Sequence, residues 1–201
     1  QTFTPPPASP TPASVTTAVS TPEASSRTNY ILYATLDFTG HTLSVDETIR
    51  YYNNTGVALS DIVLSVQPNL YGNVFVLNSV TQDAAALTTF SINGQRLDLN
   101  LSQPLQPNSA TTLSLNFNLN IPQKSSTGIF GYDFNQVNLV EWYPLVVPRD
   151  ANNGWILHDP ASFGEHLVYD ASDVEVNLKT DADVIVAASA PAEPNGEWTR
   201  Y

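Results

Sequence analysis

The chain has 201 residues and a net charge of −12, with 7 Lys and Arg against 19 Asp and Glu. So few dispersed basic residues cannot neutralise a phosphate backbone, and the negative charge repels anionic lipids, which excludes nucleic acid and direct membrane adsorption. No run approaches the ~20 apolar residues of a membrane span. The absence of cysteine excludes disulfides, a thiolate nucleophile and a cysteine-based zinc site.

Residues 1–28 differ from the rest of the chain because most of them are Ser, Thr or Pro, including Pro5-Pro6-Pro7. Such a stretch buries too little apolar area to offset its ordering entropy, so we expect an extended, flexible tether. The chain also contains no methionine, even at position 1, so we expect that a longer N terminus has been removed. Together these features predict an extracellular or cell-surface protein. A cell-surface protein of this kind can be held by a lipid anchor on the removed N terminus. A linker between two folded domains is the alternative.

From Tyr30 onward the pattern is that of β-strands. Thr42 to Tyr52 alternates, although Glu47 interrupts its apolar phase, and Ala110 to Ile121 alternates with a polar outer face, as in a half-buried antiparallel strand. Further strands are predicted at Tyr30–Phe38, Leu59–Val66, Val74–Thr81, Leu87–Ile92, Val137–Trp142, Asp173–Thr180, Val184–Ser189 and Glu197–Tyr201.

Turn signals separate these strands. Asn93-Gly94 predicts a two-residue hairpin, and helix is confined at most to a turn near Asp83–Leu87. Strands at such short spacing, without a long helical period, predict one all-β antiparallel β-sandwich over residues 29–201. Because the alternation at Glu197–Tyr201 stops in mid-strand, we expect the parent chain to continue beyond it.

The search for a metal site finds little. The three histidines are His41, His158 and His166, without an HExxH pair. The stretch from His158-Asp159 to Glu165-His166 places two imidazoles and two carboxylates in one segment, but nothing in its spacing makes them converge as zinc requires. We therefore predict surface-loop histidines and no metal site. Five acidic residues lie close together in the sequence: Asp170, Asp173, Glu175, Asp181 and Asp183. They lack the glycine turn of a calcium-binding loop, so we interpret them as residues of strand edges and of a turn.

Other chemistry is also missing from the sequence. No Gly-x-Ser-x-Gly elbow and no phosphate-binding glycine loop occur, so no catalytic residue is predicted. Two N-glycosylation sequons begin at Asn53 and Asn100, which carries little information in a chain so rich in Asn, Ser and Thr. One aromatic group is either loop packing or a sugar-stacking platform: Phe130, Tyr132, Phe134, Trp142, Tyr143 and Trp155.

An ordered series of short motifs runs through the second half of the chain: Trp142-Tyr143-Pro144, Gly154-Trp155, Gly164-Glu165, Asp173 to Leu178 and Val184 to Ser189. In the first half stand Ile49 to Thr55, Gln67 to Tyr71 and Pro104 to Pro107. The series resembles the N-terminal domain of the membrane alanyl aminopeptidase family, the gluzincin zinc metallopeptidases related to leukotriene hydrolase, in its divergent bacterial form. Val174 departs from that pattern, because it occupies a usually aromatic position.

The resemblance covers residues 30–201 and implies a saddle-shaped β domain that packs against a thermolysin-like catalytic domain. The family's zinc ligands and general base lie downstream, so it implies no cofactor in this chain, zinc in the parent and a peptide substrate there. At most one polar side chain of such a domain reaches the substrate pocket, and Gln136 and Glu141 are the nearest candidates by position.

The leading hypothesis is therefore a non-catalytic N-terminal domain of a secreted or surface-anchored zinc aminopeptidase, which shapes substrate access. It predicts an apolar face left exposed, where the catalytic domain sits. One alternative is a stand-alone β-sandwich module on a stalk that binds carbohydrate or protein, which predicts a groove or an aromatic platform. Another is a structural immunoglobulin-like spacer, which predicts neither.

Overall fold

The structure is a computed structural model that describes residues 26–126, 128–161 and 167–201. Most of the predicted tether, residues 1–25, lies outside these ranges. The strands are β1 (Asn29–Asp37), β2 (Thr42–Tyr52), β3 (Leu59–Ser65), β4 (Phe75–Gln82), β5 (Ala85–Ala86), β6 (Phe90–Asn93), β7 (Arg96–Leu105), β8 (Ala110–Asn120), β9 (Gly131–Asp133), β10 (Gln136–Asn138), β11 (Leu145–Val146), β12 (Arg149–Asp150), β13 (Gly154–Trp155), β14 (Asp173–Lys179), β15 (Glu193–Asn195) and β16 (Trp198–Arg200). A 3₁₀ helix occupies Gln67–Leu70. Within the described ranges, no helix has the length and apolar character needed to cross a membrane.

The strands form a large sheet and a smaller one. The large sheet has the order β15-β16-β14-β1-β2-β8-β4-β5, and the smaller sheet has the order β11-β3-β7-β6. Two-stranded pairs β9–β10 and β12–β13 lie outside both sheets. The predicted all-β sandwich is confirmed, because the inward side chains of both sheets belong to one buried cluster.

Alternation in the sequence places this core. On β8, Leu113 to Leu119 point inward at every second position and are almost fully buried, whereas Thr112 to Asn118 lie on the other face. Strand β2 has the same pattern and pairs with β8 over its whole length. Its inward phase includes Glu47, which is 1% exposed, so the polar interruption in the sequence becomes a carboxyl group inside an apolar core.

The predicted two-residue hairpin is present, but its loop lies one residue further along the chain. Asn93 pairs with Arg96, so the two-residue hairpin loop is Gly94–Gln95 instead of Asn93-Gly94, with Gly94 taking the positive φ of 56° that the turn requires. Near Asp83–Leu87, where the sequence limits helix to at most a turn, the structure has a tight turn followed by β5, and the 3₁₀ helix lies at Gln67–Leu70 instead. There the Asp83 carboxylate accepts hydrogen bonds from the Thr111 hydroxyl at 2.9 Å and the Thr112 N–H at 2.8 Å.

Strand pairing accounts for the remaining differences. Of the predicted strand Val137–Trp142 only the beginning is paired, as part of β10. The predicted strand Val184–Ser189 has no pairing partner among the described residues. The sheet is also not wholly antiparallel, because β1 and β14 pair in parallel from Asn29–Asp173 to Thr35–Lys179. This parallel pair attaches the end of the chain to the core and positions the candidate site.

Candidate functional site

Strand β14 extends the large sheet beyond the area that the smaller sheet covers. Its apolar face lies beside the buried face of β1, in these register pairs: Tyr30 with Val174, Leu32 with Val176 and Ala34 with Leu178. Leu32 is 0% exposed, whereas Val174 is 43% exposed. The smaller sheet reaches the opposite end of the large sheet, where the buried Gln82 side chain on β4 is hydrogen-bonded to Ser102 and Gln103 on β7. The core-facing side of β14 is left partly open.

A groove of about 550 Å³ lies over this open face, and we name it the edge groove. Its lining residues are Leu139, Trp142, Tyr143, Val174, Val176, Leu178, Val186, Ala187, Ala188, Ser189, Ala190 and Tyr201. None of these described side chains is an Asp, Glu, Lys or Arg. An uncharged, mainly apolar groove on a chain of net charge −12 marks a surface that is suited to being covered.

Two aromatic side chains form one wall of the edge groove. The Trp142 and Tyr143 rings contact each other edge to face at 5.1 Å between centroids, and Tyr143 packs 6.1 Å from the buried ring of Tyr30. Burial raises the pKa of Tyr143 to about 12, with smaller contributions from Glu47 and Tyr169. The phenol is therefore neutral at physiological pH, so the wall contributes packing and hydrogen bonding without charge.

The segment 184–190 forms the opposite wall. Val184 and Val186 are half-buried, while Ile185 between them is 96% exposed, which is the alternation of an extended chain. The Val184 N–H donates to the Asp181 carbonyl at 3.1 Å, but within the described ranges residues 185–190 form no backbone-to-backbone hydrogen bond. The sequence carries a signal for this site, because Val184 to Ala188 is apolar in both phases.

Of the two substrate-pocket candidates, Gln136 lies closer to the edge groove. It is exposed on β10, its side-chain amide donates to the Asn138 side-chain oxygen at 2.6 Å, and it lines a smaller hollow that shares Leu139 and Leu178 with the edge groove. Glu141 is exposed at a positive φ of 49° and lines a different hollow near Tyr71. The structure does not bring the two side chains to one hollow, and a substrate-pocket role for either stays a prediction.

The histidines do not converge in the described structure. The His41 ring stacks on Tyr132 with centroids 3.6 Å apart, and the His158 backbone carbonyl accepts a hydrogen bond from Gln95 at 2.6 Å. Glu165 and His166 lie outside the described residues. Across the described ranges, no group of three or more His, Cys, Asp or Glu side chains could hold a metal ion. Among the described residues, His41, His158 and Asp159 do not come together in such a group.

Glu47 is the one carboxyl buried inside the core of the described structure. Its neighbours across the sheet are Leu32 on β1 and Leu115 on β8, and neither carboxyl oxygen has a hydrogen-bond partner. Burial raises its pKa well above the usual range, which favours the protonated, neutral form of the group. It lines none of the surface hollows described here and offers no catalytic arrangement.

Most rings of the predicted aromatic group pack within the protein. Phe130 and Trp142 are buried, and the Trp155 indole N–H donates to the Asp61 carboxylate at 2.7 Å. Phe134 differs, since it is 94% exposed at the turn between β9 and β10. Loop packing is thus the better interpretation of the group. Asn53 of the first sequon is fully buried, and its amide donates to two carbonyls, so it is not an accessible glycan acceptor.

Comparison with known proteins gives a match in structure but none in sequence. No family model matches the chain, and no curated protein matches it. A two-domain M1 zinc metallopeptidase mutant bound to L-tryptophan matches with a TM-score of 0.55 and 17% identity, over 87% of this chain and 38% of that one. Two mutant M1 zinc metallopeptidase structures from Deinococcus radiodurans match with a TM-score of 0.56, over 87% of this chain and 37% of theirs. The one bound to a Tyr-Ser-Ala substrate is 15% identical to this chain, and the other is 17% identical.

At these identities the matches establish a shared fold. This chain has the fold of one part of M1 zinc metallopeptidases, in agreement with the resemblance seen in the sequence. It spans less than two fifths of each of these structures. The neighbours therefore have a large additional part, to which nothing in the described residues of this chain corresponds.

Proposed function

We propose that this chain is the non-catalytic N-terminal β domain of a secreted or surface-anchored M1-type zinc metallopeptidase, an aminopeptidase. The observation that carries the proposal is the fold match over 87% of this chain but only 37–38% of the neighbours. Zinc binding and peptide hydrolysis then belong to a catalytic domain in the rest of the polypeptide.

In this proposal the domain acts by packing against the catalytic domain and limiting access to its active site. The edge groove supports packing, because an exposed apolar surface of this kind is stabilised when another protein surface covers it. In the sequence, Gln136 precedes the stretch Leu139 to Tyr143 that contributes to the groove wall, and Glu141 lies within it; each lines a separate hollow. Either side chain is then available to contact a peptide bound between the domains.

The proposal is tested with the 201-residue chain and the full-length polypeptide that its gene encodes. Bound zinc is measured by elemental analysis, and aminopeptidase activity is measured as hydrolysis of aminoacyl-coumarin substrates. We expect zinc and activity in the full-length polypeptide alone. Inactivity of both would contradict the proposal and favour a stand-alone binding module, whereas zinc and turnover in the 201-residue chain would place a site in the segment His158 to His166.

A further inference from the structure

We propose that the backbone of the segment 185–190 is an unpaired edge, which pairs with an extended strand from the rest of the same polypeptide. The apolar side chains of that added strand fill the edge groove. This inference rests on the proposed function, because it takes the additional strand from a polypeptide organised like those of the two-domain neighbours. It specifies the form of the contact, namely backbone pairing together with burial in the groove.

The backbone of the segment supplies the first argument. Residues 185–188 continue from Val184 without a turn, and a bend follows at Ser189 and Ala190. Within the described structure, residues 185–190 form no backbone-to-backbone hydrogen bond, whereas β14 is paired with both β1 and β16. Unpaired N–H and C=O groups on an extended edge are a template for another strand. A helix cannot satisfy them, because its own backbone groups are already bonded to each other.

The side chains supply the second argument. Val186 faces the edge groove, and Ile185 is 96% exposed on the other face, so the segment is apolar on both faces. Strands with this composition are normally buried on both sides. The groove has no charged lining residue and a volume of about 550 Å³. An extended strand with apolar side chains at alternate positions matches this shape and polarity.

Charge argues for a strand from the same polypeptide over a second copy of the chain. Each copy carries a net charge of −12, so two copies that pair through this edge repel each other. A strand attached to the same polypeptide avoids the entropy loss of association, because its effective concentration is set by the connecting chain. The structural neighbours carry such additional polypeptide, since this chain spans 37–38% of their length.

Amide hydrogen exchange tests the pairing directly. In the 201-residue chain we expect the amides of residues 185–190 to exchange rapidly. In the full-length polypeptide we expect their exchange to be slowed at least about tenfold, because paired amides exchange only after local opening. Equal exchange in the two proteins would overturn the proposal. If exchange in the 201-residue chain is slow and becomes slower at higher protein concentration, the proposal is also overturned, because that result assigns the edge to a second copy.

A matched pair of substitutions separates the edge groove from apolar exposure in general. Val174 lines the groove and is 43% exposed, while Val76 on β4 of the same sheet is 42% exposed and lies away from the groove. In the full-length polypeptide, Val174→Asp is expected to return residues 185–190 to rapid exchange, and Val76→Asp is expected to leave them protected. An equal effect of the two substitutions would contradict a strand in the groove. Circular dichroism checks that both variants are folded.

The two proposals fail in different ways. A full-length polypeptide that binds zinc and hydrolyses substrate while residues 185–190 exchange rapidly would overturn the strand pairing and keep the proposed function. Protection of residues 185–190 in a polypeptide without zinc or activity would keep the pairing and overturn the proposed function.

Discussion

The large sheet has two regions with the same local pattern and opposite environments. On β1, alternate apolar residues are covered by the smaller sheet, and Leu32 is 0% exposed. On the adjacent β14, residues in register with them on the same face line an open groove, and Val174 is 43% exposed. Alternation therefore determines which side chains share a face of the sheet. Whether that face is buried depends on what lies opposite it.

The largest expected effect tests this contrast with two leucines. Leu32 is fully buried, and Leu178 is half-buried beside the edge groove. Leu32→Ala is expected to lower the free energy of unfolding of the 201-residue chain by about 2–5 kcal/mol, because it leaves a cavity in a packed core. Leu178→Ala is expected to cost about 1 kcal/mol, since less apolar area is lost from burial. Urea denaturation measures both, and equal costs would show that the two regions are covered alike.

The next effect concerns Glu47 and pH. Burial raises the pKa of Glu47 in the folded protein well above the usual range. In the unfolded chain the pKa of a glutamate is about 4.3. Above that pH the unfolded state therefore binds fewer protons than the folded state. Stability from this group is therefore lost as pH rises, by up to about 1.4 kcal/mol per pH unit, until the folded pKa is reached. Nearby phenols on Tyr30, Tyr143 and Tyr169 remain neutral in this range, because burial raises the pKa of each.

Glu47→Gln removes this titration and keeps the shape of the side chain. Between about pH 5 and pH 7 we expect the wild type to lose more stability than Glu47→Gln, measured as the free energy of unfolding in urea at each pH. The exposed Glu197, which pairs with Lys179 at 2.6 Å, provides the control Glu197→Gln, whose pH profile should follow the wild type. Parallel profiles for wild type and Glu47→Gln would show that Glu47 is solvated in the folded protein.

The smallest effect concerns the turn after β2. The buried Asn53 amide donates to the Val57 carbonyl at 2.8 Å and the Leu105 carbonyl at 3.0 Å. Asn53→Ala is expected to cost about 1–3 kcal/mol, because the buried Leu105 carbonyl loses its donor. The adjacent Asn54 is exposed, and Asn54→Ala is expected to change stability by less than about 0.5 kcal/mol. Thermal denaturation measures both, and a comparable loss in the two variants would contradict this assignment.

Sequence predicted the strands whose partners lie in the core. The bounds of β2 agree at both ends with the prediction, and those of β8 differ by one residue, because long alternation with one buried face leaves little freedom of register. The segment 184–189 had equally good β-propensity but is not paired among the described residues. Propensity describes one strand, whereas pairing requires a second one, and that information is not local. The parallel β1–β14 pair was missed for the same reason.

The candidate site was predictable only in part. The sequence predicted an exposed apolar face through the family resemblance, and the edge groove is such a face. Its position could not be predicted, because it depends on which strands of the large sheet the smaller sheet covers. Gln136 and Glu141 were chosen by sequence position, and they line separate hollows, because position along the chain does not determine which hollow a side chain lines.

The parallel pair between β1 and β14 also has a consequence for the timing of folding. It joins Asn29 to Asp173, near opposite ends of the described chain. During synthesis at about 5–20 residues per second, β1 must wait until β14 has left the ribosome before this pair can form. Contacts so distant in sequence also slow folding, because the intervening loop must close first. The nascent chain thus spends several seconds with one edge of β1 unpaired, an interval in which chaperone binding would protect it from aggregation.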